Sequence, residues 1–114
     1  MARQILNAGR STVLDASGNG RVEIGPDQGP PYWLVSTVIV KTSRPGQAPV
    51  PAFDLYKDAV DENNSEGTTY DGSRNESNVT IELTRGQKLI AVWTGGQAGD
   101  TATISVSGYK GDNR

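Results

Sequence analysis

The segment Thr101-Ala102-Thr103-Ile104-Ser105-Val106-Ser107 alternates hydroxyl and apolar side chains without a break. Successive side chains of a strand point to opposite faces, so this period builds a strand with one dry face and one wet face. Ala102, Ile104 and Val106 share the dry side. Residues 78–84 repeat the device, with Val79, Ile81 and Leu83 on one face and Thr80, Glu82 and Thr84 on the other. Lys88-Leu89-Ile90-Ala91-Val92-Trp93-Thr94 is a more continuous apolar run, which suits a central strand. No stretch carries a helical period.

Turn signals separate these runs. Arg85-Gly86-Gln87 and Gly95 to Asp100 divide residues 78–109 into what reads as a three-strand meander. Ser17-Gly18-Asn19-Gly20, between 11–16 and 21–24, reads as a hairpin turn. Tyr32 to Thr42 is the longest strand candidate, rich in β-branched and aromatic residues. Val50 to Lys57 forms a shorter strand around Phe53 and Leu55. Residues 58–77 are polar and predict a long irregular loop. Fourteen glycines and six prolines fit many turns. About seven to eight strands with such spacing predict an all-β fold, an antiparallel β-sandwich of jelly-roll or immunoglobulin-like order. Residues 1–10 read as an extended N-terminal arm anchored by Ile5 and Leu6, residues 11–110 as the sandwich, and 111–114 as a polar C-terminal tail.

The residue inventory narrows the chemistry. The chain has no Cys and no His. No disulfide or thiolate site can form, and the commonest general base and transition-metal ligand are absent. Acids Asp58, Asp61, Glu62 and Glu66 lie in a polar loop where nothing raises a pKa, so a solvated loop is expected there rather than a catalytic pair. Asp61, Asn63 and Ser65 place oxygens at alternate positions, as a calcium loop begins, but the glycine at Gly67 falls one place late. No catalytic residue, cofactor or metal ligand is therefore assigned. Net charge is −2, with 11 basic and 13 acidic residues interspersed, so no basic footprint for nucleic acid exists. The first residues carry no apolar h-region and no run is long enough to span a bilayer, so neither a signal peptide nor a membrane partner is expected. Trp33 and Trp93 sit within apolar strands and are expected in the core. Tyr70 and Tyr109 are the aromatic candidates for partner contact. Three N-x-[ST] sequons, at Asn63, Asn75 and Asn78, fall in an Asn/Ser-rich stretch and read as chance matches.

Two stretches carry a resemblance. Val13-Leu14-Asp15-Ala16-Ser17-Gly18-Asn19-Gly20-Arg21-Val22-Glu23-Ile24-Gly25-Pro26, followed by the Trp-led strand from Trp33 to Val40, is similar to the opening of small virion-associated proteins of actinobacterial tailed phages. Leu83 to Gly96 and Ala102 to Gly108 resemble the end of that group. The resemblance spans most of residues 12–109. It implies a β-sandwich without catalytic residues, with capsid decoration as the expected task. The implied partner is the major capsid protein, with self-association as a trimer or dimer where copies surround a symmetry axis. The implied location is the virion, after folding in the host bacterial cytoplasm. In this reading Ile5, Leu6, Tyr70 and Tyr109 are the expected contacts, the first two on an arm that orders on docking. A carbohydrate- or host-binding module of a tail or head fibre is the alternative, with Tyr70 and Tyr109 meeting glycans.

Overall fold

A computed structural model describes residues 3–112. It is all-β, with eight strands: β1 (Gln4–Val13), β2 (Gly20–Ile24), β3 (Tyr32–Thr42), β4 (Ala52–Lys57), β5 (Ser65–Thr69), β6 (Arg74–Leu83), β7 (Leu89–Thr94) and β8 (Thr101–Gly111). A single 3₁₀ turn, Glu62–Asn64, precedes β5.

Strand pairing sets the topology. β1 pairs with β8, β2 with β7, β3 with β6 and β4 with β5, all antiparallel. Those are the pairings of one long hairpin whose outgoing arm is β1–β4 and whose return arm is β5–β8. Rolling the hairpin adds β3–β8 and β4–β7. The result is two four-stranded sheets, ordered β1-β8-β3-β6 and β2-β7-β4-β5. This is a jelly roll, which resolves the choice of strand order.

The expected local hairpins do not form. β1 and β2 lie in different sheets, so Ser17 to Gly20 is a corner between layers. Likewise β6, β7 and β8 alternate between sheets and are not a meander. Alternation fixes which side chains face inward, but it carries no information on which strand is the neighbour. Gly18 serves the corner with φ 76°; a Cβ there would lie 1.9 Å from the carbonyl oxygen of Gly96. The backbone bond from Gly96 N–H to Gly18 O, 2.8 Å, ties this corner to the one between β7 and β8.

The polar stretch 58–77 is also more ordered than its composition predicts. It holds β5 and the first residues of β6. β5 is exposed along nearly its whole length and has no apolar alternation. Backbone pairing with Phe53 to Tyr56 makes it a strand.

Inward faces of both sheets meet in one core. Trp93, Leu83, Leu89, Ile104 and Val35 are fully buried. Each such side chain contributes about 1.5–3 kcal/mol relative to exposure. Trp93 packs on Phe53 with centroids 5.1 Å apart and planes tilted by 54°. Its Nε1 donates to Gly72 O at 3.0 Å. Both tryptophans are buried, as their strand context predicts.

Candidate interaction surface

The outer face of the β1-β8-β3-β6 sheet is built from four strands whose outward side chains the register places in rows. In antiparallel strands, directly opposed residues share a face. The register therefore lays out rows across the sheet. Ile5 lies opposite Tyr109, which lies opposite Leu34. Farther along come Asn7, Ser107 and Thr37, then Gly9, Ser105 and Ile39, then Ser11, Thr103 and Lys41. Val13 and Thr101 close the array. Alternate positions of the same strands, Leu6 on β1 and Ala102, Ile104 and Val106 on β8, point into the core.

Charge is absent from half of this surface. The ten outward positions of β1 and β8 hold Ile5, Asn7, Gly9, Ser11, Val13, Thr101, Thr103, Ser105, Ser107 and Tyr109. None is charged, although charged residues make up 21% of the chain. Ile5 is 73% exposed, Val13 62% and Tyr109 49%. Ile39 adds another exposed apolar side chain on β3. Charges return only on the far side, with Lys41 on β3 and Arg74, Glu76 and Glu82 on β6. Ser11 and Thr103 hydroxyls share a hydrogen bond of 2.9 Å, so the surface is partly locked to itself.

The expected contact residues separate under the fold. Ile5 and Tyr109 come together as register partners. Leu6 does not join them: it is buried at the inner face, because it alternates with Ile5. The segment read as an arm is in fact β1, paired with β8 along its full length; Met1 and Ala2 lie outside the described residues. At the other terminus Gly111 closes β8, so the described part of the tail begins with Asp112. Tyr70 is 88% exposed in the turn after β5, at the Lys41–Arg74 end of the sandwich. Tyr109 sits at the opposite end, beside Leu34. The two tyrosines do not build one stacking platform.

The acids of the polar stretch serve the backbone. Asp61 caps the 3₁₀ turn, its Oδ1 accepting from Asn63 N–H at 2.9 Å. Asp58, at φ 69°, accepts from Lys88 N–H at 2.9 Å. Among the described residues, no group of three or more acidic side chains converges as a metal site would require. Glu66 lies at the rim of a slot of about 110 Å³ between the sheets, floored by Val38, Val40, Phe53 and Leu55. A wider groove beside β2 is lined by Arg10, Arg21, Glu23, Asp27 and Lys88. Its charges pair among themselves: Arg10 with Asp27 at 3.2 Å, and Lys88 with Glu23 at 3.2 Å. Among the described residues, no helix is long and apolar enough to cross a membrane.

The uncharged face could not be read from sequence as a surface. The alternation marks the wet side of β8, but only the β1–β8 and β3–β8 pairings place the wet sides of three strands next to one another. No protein-family model matches the chain, and no curated protein matches it.

Proposed function

We propose that this protein is a structural component of a phage virion, a capsid decoration protein that docks on the outer capsid surface and reinforces it. The observation that carries this reading is the uncharged outer face of β1 and β8 with its exposed Ile5, Val13 and Tyr109. Such a face suits shape-based contact with another folded surface, because it brings few charges that need desolvation. The resemblance of residues 12–109 to small virion-associated proteins supports the choice of partner, the major capsid protein. A jelly roll serves both viral shells and lectins, so the fold alone does not choose between them.

The test adds purified protein to capsid shells of the encoding phage that lack it. The expected result is co-sedimentation at a saturable, fixed ratio, with added density on the outer shell in electron micrographs. Failure to bind shells, together with glycan binding lost on Tyr70→Ala, would replace this reading with the fibre-module alternative.

A further inference from the structure

Each sheet ends in two edge strands, and the four edges are not alike. An edge strand exposes unpaired N–H and C=O groups, and proteins block such edges with charge, proline or short length. β2 and β5 have five residues each, with Arg21 and Glu23 on one and Glu66 on the other. β6 is long but carries Arg74, Glu76 and Glu82. β1 is the least protected of the four. It runs ten residues, Gln-Ile-Leu-Asn-Ala-Gly-Arg-Ser-Thr-Val, without proline. It pairs with β8 on one side only. Arg10 is its single charge, and that guanidinium is drawn to Asp27 at 3.2 Å.

We infer that β1 is a self-association edge: two copies of this chain pair their β1 strands antiparallel about a two-fold axis through Gly9, forming a continuous eight-stranded sheet. The sequence of β1 selects this register. Centred on Gly9, Ile5 faces the partner's Val13, Leu6 faces the partner's Thr12, Asn7 faces the partner's Ser11, and Gly9 faces its own copy. The two most exposed aliphatic side chains of the strand thus cover each other twice per dimer, on the outer face. Centring on Ala8 would set Leu6 against the partner's Arg10. Centring on Arg10 would set two guanidinium groups against each other, which is destabilising. A two-fold pairing closes the assembly at two copies and covers the β1 edge of each. It also joins the uncharged strips of the two chains into one surface, β8-β1-β1-β8.

This inference stands apart from the virion reading and is tested on purified protein alone. Sedimentation equilibrium should give twice the 12.1 kDa chain mass. A Cβ on Gly9 would meet only Ile104 O and Ser105 Oγ, each at 3.5 Å, so the single chain accepts a side chain there. Gly9→Lys and Gly9→Glu should each fold, as circular dichroism will report. Each should weaken self-association about tenfold or more, since like charges then meet at the axis. An equimolar mixture of the two variants should restore the dimer as a mixed pair. A monomeric wild type would overturn the inference. So would Gly9 variants that dimerise as the wild type does, or a mixture no tighter than its components.

Discussion

Trp93 and Trp33 show how two buried indoles on neighbouring layers carry unequal weight. Trp93 donates to Gly72 O and packs on Phe53, whereas Trp33 Nε1 finds no acceptor among the described residues. Trp93→Phe therefore loses a hydrogen bond as well as volume and should cost about 2–4 kcal/mol, by urea denaturation. Trp33→Phe removes an unpaired donor with the lost volume and should cost less, about 1 kcal/mol. Equal losses would contradict the assignment. Near Gly72, Ser73 is buried, donates its hydroxyl to Asp71 and accepts Gly46 N–H at 2.9 Å. That hydroxyl holds the Asp71 carboxyl below its ordinary pKa against the opposing effect of desolvation, with lesser help from the backbone N–H groups of Ser73 and Arg74 and from the charge of Arg74. A depressed folded pKa means the stabilisation is full above the unfolded value and is lost as pH falls through the folded one. Denaturation midpoints across the acidic range should therefore show a decrement in the wild type that is missing in Asp71→Asn. Parallel curves would refute it.

At the scale of elements, the bulge where β3 crosses β8 is the most constrained feature of the first sheet. The register slips between Val35 and Thr37, and Gly108 opposite it adopts φ 154°. A Cβ at Gly108 would lie 2.0 Å from Leu34 O, so Gly108→Ala should destabilise by about 1–3 kcal/mol through strain at that φ. Thermal melts that leave this variant unchanged would show that the bulge relaxes freely. The sequence made some elements legible and hid others for physical reasons. β8, β3 and β7 were visible because they alternate or run apolar between glycine turns. β5 was hidden because both of its faces are wet, leaving backbone pairing as its only signature. β1 was hidden because only Leu6 among its residues is buried outright, with Ala8 and Thr12 half-buried. The uncharged face is half legible in the sequence: Ile5 and Tyr109 both stand on it, but their adjacency depends on β1 pairing with β8, which no local pattern encodes. Leu6 is not an arm anchor because it alternates with exposed Ile5 and points to the core, in a strand with too few apolar residues to display that alternation.

At the scale of the whole molecule, the two sheets present unlike outer faces. Two packed sheets bury their inner faces, the second sheet keeps charges such as Arg21, Glu23 and Asp54 outward, and the first sheet presents hydroxyls and a few aliphatic groups. If that face meets the capsid, a charge placed in its centre should abolish docking while leaving the fold intact. Ser105 sits mid-strand on β8 between Gly9 and Ile39, and suits the purpose. Thr68 on β5 is the matched control, since a lysine there would face Asp54 and gain an opposite charge. The decisive measurement is quantitative co-sedimentation of Ser105→Lys and Thr68→Lys with capsid shells. Binding should fall at least tenfold for Ser105→Lys and stay unchanged for Thr68→Lys. Equal binding by both variants, or loss confined to Thr68→Lys, would contradict it.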